Sequence, residues 1–262
     1  MPLQRRSRSS CPHDGEALPA KPTAAERART LAAGSSSATL VIPGLSVPDP
    51  LGMLPAQRVV TGDADILLRL PAGSPALRAV RCAGGDEVTA VLEITDVAPV
   101  AVPDRIRSRA HIAGWLTPVR DGLERGWLKL EVGEVTLEDV WGTELVEPDD
   151  FATAEPDPLA EHEADLLQHL AAAHGGELGW LRALVEGQDA PLRTPPEVVP
   201  LALDRFGLRV RFSDGGGTFD ARFQFPAAVT DVAELRRTVR ALFEEAWRAV
   251  DEKNQDQNQN QS

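Results

Sequence analysis

The hydrophobic pattern changes from strand-like to helix-like between Val199 and Val250, and this change restricts the fold more than any other feature. Apolar and polar residues alternate over Leu208 to Phe212 and again over Phe219 to Phe225, on either side of a glycine-rich turn. Such alternation predicts an antiparallel hairpin with one buried face. After a D-x-x-E capping box at Asp231, apolar residues recur at helical spacing. A sheet face and a helix face of matching size can bury each other, so a small α+β domain is expected here.

Short strands dominate the first half of the chain. A T-x-x-E capping box at Thr23 predicts one short helix, and Pro75 to Cys82 suits another because proline is favoured in a first helical turn. Several short strands with few helices imply an antiparallel barrel or a strongly curled sheet. The predicted strands are Ser37–Ile42, Gln57–Val60, Asp65–Leu70, Val88–Thr95, Ile106–Leu116, Leu128–Val132 and Val135–Val146.

The chain divides at an acidic segment that carries three prolines, Pro148, Pro156 and Pro158. Beyond it, helices are predicted over Leu159–His174 and Glu177–Val185. Both chain ends lack apolar residues in a regular pattern, so we expect them to be disordered. The predicted order is a disordered tail (1–22), a barrel domain (23–147), a linker (148–158), an α+β domain (159–250) and a second disordered tail (251–262).

Composition excludes several classes of protein. No apolar run approaches the roughly 20 residues that a membrane helix needs. No apolar segment follows the arginines near the N-terminus, so a secretory signal is not expected. Of the two cysteines, Cys11 lies in the predicted tail and Cys82 elsewhere, which disfavours a disulfide framework. A soluble cytoplasmic protein is the expectation.

The net charge of −13 is concentrated in one segment. Residues Glu131 to Asp165 contain thirteen acidic side chains and no lysine or arginine, so the remainder is formally neutral. Without a basic stripe, nucleic acid is not an expected ligand. The acidic segment is either a solvated edge and linker or a docking surface for a basic protein partner.

The histidines are the best candidates for chemistry, because the common phosphate-loop and zinc-peptidase patterns are incomplete. His162 and His169 lie seven residues apart, about 10.5 Å along a helix, which is too far for shared ligation of one metal ion. Solvent-exposed polar roles suffice for both. His174 lies on the apolar side of its predicted helix, where it either caps and packs that helix or contacts a ligand.

Two further groups of residues have alternative interpretations. His111 and Trp115 share one face of a predicted strand, and they either line a pocket for a flat aromatic ligand or form a half-exposed barrel face. Arg209, Arg211 and Arg222 project from the polar face of the C-terminal hairpin. They form either a solvated face or, if they converge, a site for a small anion.

Segments of both halves resemble a known pair of domains. The C-terminal segments resemble a domain of unknown function that usually follows an FMN-binding split barrel of the pyridoxamine phosphate oxidase type. The pairing occurs in HugZ-type haem-degrading proteins, in plant proteins that bind glutamyl-tRNA reductase, and in uncharacterised actinobacterial proteins. The segments that carry the resemblance are Glu163–His174, Leu201–Val210, Arg222–Pro226, Thr23–Leu31 and Ala38–Leu40.

The resemblance implies an α+β protein with an N-terminal antiparallel split β-barrel. It also implies a C-terminal domain of two helices, a three-stranded antiparallel sheet and a long final helix, and a homodimer. In the family the helix motif commonly contains an Asp-His pair, and here His174 takes the place of the histidine while Ala173 replaces the acid. Haem-degrading members use a histidine near the C-terminus as iron ligand, and this chain has none after His174.

Three functions follow from this resemblance. The leading hypothesis is a haem-, tetrapyrrole- or flavin-binding protein related to haem utilisation, with little or no catalysis and no assigned catalytic residue. His111, Trp115, His174 and Arg222 are its candidate ligand-binding residues, and a bound metal is left open. The alternatives are a cofactor-free protein–protein regulator and an FMN-dependent oxidoreductase.

Overall fold

A computed structural model of the chain describes residues 20–47, 49–84, 87–119, 125–185, 197–214 and 217–259. Its architecture is α+β, as predicted: a curled antiparallel half-barrel sheet is followed by a smaller sheet and a long C-terminal helix. Most of the first predicted tail, residues 1–19, lies outside the described residues.

The half-barrel is a seven-stranded sheet in the order β1-β4-β5-β6-β3-β2, with β7 paired to β6. Every pairing is antiparallel, and alternate residues such as Ala110 and Ile112 are buried in the hydrophobic core. The strands are β1 (Ser37–Val41), β2 (Gln57–Val60), β3 (Ile66–Arg69), β4 (Val88–Val97), β5 (Ile106–Pro118), β6 (Trp127–Asp139) and β7 (Gly142–Val146). Helices α1 (Ala24–Ala33), α2 (Pro75–Ala83) and α3 (Pro148–Thr153) accompany this sheet, with a 3-10 turn at Pro50–Met53.

One strand runs further than its sequence pattern predicts. The alternation breaks after Val132, yet β6 continues to Asp139, because the register shifts opposite Ala113 and Gly114 and absorbs an extra residue. Glycine permits this close approach, since a Cβ on Gly114 would lie 1.9 Å from the carbonyl oxygen of Glu131. The predicted strand Val135–Val146 is therefore two strands, β6 and β7, joined by a tight turn.

The smaller unit is a three-stranded antiparallel sheet, ordered β10-β9-β8, with helices packed against it. The predicted hairpin is present: Phe212 pairs with Phe219, and their rings stack with centroids 5.2 Å apart. The elements are α4 (Glu163–Ala173), α5 (Gly175–Trp180), a 3-10 turn (Leu181–Leu184), β8 (Glu197–Asp204), β9 (Gly207–Asp214), β10 (Gly217–Gln224) and α6 (Val232–Gln259).

Helical structure appears in two segments where none is predicted. Helix α6 continues beyond Val250 to Gln259, into the segment predicted to be a disordered tail. Helix α3 lies in the predicted linker, where Pro148 occupies the first helical turn and Phe151 is fully buried in the first core. One predicted helix is shorter than expected: α4 begins at Glu163, and residues 159–162 form turns where the helix was predicted to start.

Two hydrophobic clusters form the cores, one in the half-barrel and one between the small sheet and its helices. Ala98 and Val100, in the loop between β4 and β5, are buried in the second cluster although they lie far from it in sequence. Charged contacts cross between the units. Arg107 on β5 binds Glu163 of α4 at 2.6 Å, and Arg205 binds Glu26 of α1 at 2.6 Å.

Candidate functional site

A groove of about 1430 Å³ runs between α4–α5 and α6, and we call it the histidine groove. Its volume exceeds the roughly 300–1,000 Å³ of typical small-molecule pockets. The apolar stripe of α6 forms one wall, because Leu235, Val239 and Phe243 recur at helical spacing. The residues that line it and carry aromatic or ionisable groups include His162, His169, His174, Glu177, Trp180, Arg236, Arg240, Phe243, Trp247 and Arg248.

His174 is the predicted site residue that the groove contains. It ends α4 and is half-buried, and its ring lies 6.0 Å from that of Phe243, centroid to centroid. Its Nδ1 lies 3.3 Å from Oε1 of Glu177. A hydrogen bond from its own backbone N–H, and secondly this contact with His174, lower the pKa of the Glu177 carboxyl. A carboxylate that holds Nδ1 fixes the ring and leaves Nε2 for a ligand.

The carboxylate partner of His174 is not at the position that the family motif suggests. Position 173 is an alanine, but Glu177 supplies an acid from the first turn of α5. The chain leaves helical geometry at His174, where φ is −126° and ψ is 29°, and a new helix starts at Gly175. The sequence pattern predicts a helix end at His174 and a new helix from Glu177, but it does not give the backbone conformation between them that brings Glu177 to the imidazole.

The same break brings a second histidine to the site. The rings of His169 and His174 lie 5.2 Å apart, centroid to centroid, in an edge-to-face arrangement. On a regular helix, positions five apart point about 140° away from each other. The sequence pattern assigns His169 only a solvent-exposed polar role, and its proximity to His174 depends on the non-helical conformation of His174.

Aromatic rings and arginines complete the groove. Trp180 and Trp247 pack with centroids 4.9 Å apart, and Trp247 remains 51% exposed. Arg236, Arg240 and Arg248 follow the exposed edge of α6 at multiples of four residues. The groove thus offers an apolar floor, imidazole nitrogens and a charged rim, on which Asp165, Glu177 and Glu244 accompany the arginines.

His111 and Trp115 lie elsewhere, on the outer face of β5. Neither lines the histidine groove. The indole of Trp115 covers the backbone of Gly133 on β6, where an added Cβ would come within 2.7 Å of the ring. His111 is half-buried, with Glu93 and Thr136 as its cross-strand neighbours. The structure does not bring this pair together with His174.

Arg222 lies in a third place, a cleft between the two cores. Its guanidinium forms hydrogen bonds of 2.8 and 2.7 Å to the two carboxylate oxygens of Asp204, so its charge is already paired. The ring of Trp141, from the half-barrel, lies 5.6 Å from the guanidinium carbon. The predicted site residues therefore occupy three separate regions.

The acidic segment is partly neutralised within the chain. Five of its acidic side chains bind a lysine or an arginine, and all of those partners lie outside the segment in sequence. These five are Glu131, Asp139, Glu144, Asp157 and Glu163, with partners Lys129, Arg27, Arg205 and Arg107.

The described residues lack two features, a metal-binding cluster and a membrane-spanning helix. Among them, no cluster of three or more histidine, cysteine, aspartate or glutamate side chains has the geometry to hold a metal ion. None of the helices in this part of the chain combines the length and apolar character needed to cross a membrane.

Comparison with known proteins finds a haem-binding protein with a similar fold. No protein-family profile matches the chain, and neither does any curated protein. A haem-binding protein from Mycobacterium smegmatis superposes with a TM-score of 0.56 at 24% identity, over 87% of this chain and 99% of that chain. A protein of unknown function from Agrobacterium tumefaciens, Atu2129, aligns over the same fraction of this chain and 99% of its own at 14% identity, but its TM-score of 0.37 is too low to support an argument. The first similarity shows that the two chains share a fold.

Proposed function

We propose that this protein binds haem or a related tetrapyrrole in the histidine groove, as part of haem utilisation. The observation that carries the proposal is His174, whose Nδ1 is held by Glu177 and whose ring lies among aromatic side chains in a large groove. A neutral imidazole with one nitrogen fixed by a carboxylate is a good axial ligand for iron. The M. smegmatis haem-binding protein, with the same fold, supports this choice of ligand.

The residues of the groove fit the chemistry of haem. Haem would supply a flat apolar macrocycle, two carboxylates and an iron ion with open axial positions. Phe243, Trp180 and Trp247 would give apolar surface to the macrocycle, and His174 would hold the iron through its free ring nitrogen. The arginines on the rim of α6 can pair with carboxylates. His169 packs edge-on against the imidazole of His174 and would help to hold that ring in place.

Titration of the purified protein with haemin tests the proposal. We expect a Soret band that differs from that of free haemin, together with quenched tryptophan fluorescence because Trp180 and Trp247 line the groove. His174→Ala should abolish this Soret shift. Glu177→Gln should weaken binding by about 10- to 100-fold, the usual effect of losing a carboxylate behind a histidine ligand.

His111→Ala is the matched control, because it removes the same side chain from β5, outside the groove. It should bind haem as the wild type does. An unchanged Soret band and affinity in His174→Ala would refute the proposal. If His111→Ala alone loses the band, the ligand instead binds at the barrel face of His111 and Trp115.

Titration with FMN, alongside the titration with haemin, distinguishes the two alternative functions. Saturable binding of FMN, with no response to haemin, would favour a flavin-dependent oxidoreductase. No response to either ligand would favour a protein–protein regulator that docks a basic partner on the acidic segment. That regulator has less support, because five acids of the segment are already paired with basic side chains of this chain. Size-exclusion chromatography with light scattering tests the proposed homodimer.

A further inference from the structure

A second site is suggested by arginines that meet where the two cores face each other. Strand β5 of the half-barrel contributes Arg107 and Arg109, and strand β9 of the small sheet contributes Arg209 and Arg211. These four residues line a cavity of about 290 Å³, which we call the arginine cleft. A neighbouring cavity of about 390 Å³ is also lined by Arg107 and Arg209.

Most arginines around the cleft already bind carboxylates. Arg107 binds Asp96 and Glu163. Arg211 contacts both oxygens of Asp220 at 2.7 and 3.0 Å, and Arg222 is paired in the same way with Asp204. The nearby acids are therefore largely committed to these partners.

Arg209 differs from these neighbours. It is half-buried, and within the described part of the chain its guanidinium forms no hydrogen bond or ion pair. Its Nε is fully buried without a partner. Burial and the charges of Arg107, Arg211 and Arg222 lower the pKa of Arg209, against an opposing effect of Asp220. A buried cation in this position is costly unless an anion accompanies it.

Arg109 faces the same cavity and likewise has no ion-pair partner among the residues that the structure describes. Three acids also line the wall, of which Asp220 is the partner of Arg211. Glu138 is the cross-strand neighbour of Arg109, and Asp139 is bound to Arg27 at 2.7 Å. The cavity therefore presents two guanidinium groups that have no carboxylate partner among the described residues.

We propose that the arginine cleft binds a small oxyanion of the phosphate class, held by Arg209 from one unit and Arg109 from the other. A guanidinium donates parallel hydrogen bonds that match the oxygens of such an anion. The cavity volume, near the lower end of ligand pockets, suits a free phosphate or the phosphate group of a small ester. The bound anion would also tie β9 to β5. This site is separate from the histidine groove, and the proposal does not depend on haem binding.

Isothermal titration calorimetry of the whole protein with inorganic phosphate tests the site, with chloride used to match ionic strength. We expect saturable binding to the wild type and at least tenfold weaker binding to Arg209→Gln. Arg237→Gln is the matched control, because it removes the same charge from an exposed position of α6 outside the groove and cleft. It should bind phosphate as the wild type does.

Phenyl phosphate, a bulky ester, distinguishes the source of the anion. Binding of inorganic phosphate alone indicates a free ion, and tighter binding of the ester indicates a phosphorylated metabolite. Without phosphate, Arg209→Gln should melt no lower than the wild type, because it removes an unpaired buried cation. If Arg209→Gln does not fold, Arg109→Gln serves in its place with the same expected loss. The proposal is overturned if the wild type binds no phosphate above the chloride control, or if the Arg209 and Arg109 variants bind it as the wild type does. Both outcomes are independent of the result of the haem titration.

Discussion

The contact of Arg107 with two acids should account for a large part of the stability of the joined units. Arg107 donates to both oxygens of Asp96 at 2.7 and 3.0 Å and to both of Glu163 at 2.6 and 3.1 Å. A further hydrogen bond of 2.9 Å reaches the carbonyl of Leu201. The side chains are 11%, 14% and 20% exposed for Arg107, Asp96 and Glu163. Although burial opposes it, attraction to Glu163 and Asp96 raises the pKa of the Arg107 guanidinium, which stays charged.

Arg107→Met removes the cation and leaves two buried carboxylates close together. Summing about 1.5–3 kcal/mol for each charged hydrogen bond would overestimate the loss, because desolvation offsets much of it. Breaking a buried pair by removing one partner typically costs about 3–5 kcal/mol, and we expect a loss of that size in the free energy of unfolding. The double variant Arg107→Met/Glu163→Gln should recover part of it, since fewer unpaired charges remain.

Urea unfolding, followed by tryptophan fluorescence and far-ultraviolet circular dichroism, measures this loss. The control is Arg240→Met, which breaks a pair with Glu244 at 3.4 Å on the surface of α6, where Arg240 is 83% exposed. That exposed pair should contribute no more than about 0.5 kcal/mol. A loss below about 1 kcal/mol for Arg107→Met, or equal losses for both variants, would contradict the assignment of Arg107 as a buried link between the units.

Two further predictions concern stability. Burial raises the pKa of Asp157, so its carboxyl binds a proton more tightly in the folded chain, and its contribution to the free energy of unfolding falls as the pH rises from about 4. Asp157→Asn should remove that fall in urea unfolding across pH, whereas the exposed Asp63→Asn should keep it; identical slopes in all three proteins would disprove the assignment. Gly114→Ala places a Cβ 1.9 Å from the Glu131 carbonyl oxygen and should cost about 3 kcal/mol, while Gly175→Ala, with nothing within 4 Å, should not destabilise; thermal melting of both variants measures the difference.

Local patterns were sufficient to predict most of the fold. The alternation through β9 and β10 predicts both the hairpin and its buried face, and the apolar spacing of α6 predicts the helix that covers it. Features that depend on distant partners were not predictable in this way. The register shift at Gly114 depends on how closely β6 approaches, and the burial of Phe151 depends on a core formed by residues far from it in sequence.

The candidate site was only partly predictable for the same reason. The position of His174 before two glycines indicates an exposed helix end, which is where the groove lies. The proximity of His169 and Glu177 to it follows from the backbone conformation at that helix end, and periodicity locates the end without giving this conformation. Arg209 and Arg109 line one cavity because the small sheet packs next to the half-barrel sheet. No local sequence pattern predicts how two sheets pack.

The loop that carries Ala98 and Val100 has a practical consequence for dissecting this protein. Because these two side chains fill the second core, a fragment cut at the proline-rich segment would lose part of its own interior along with the half-barrel. The C-terminal half is therefore not a portable module, and a chimaera that exchanged it alone would need to bring a matching β4–β5 connection with it.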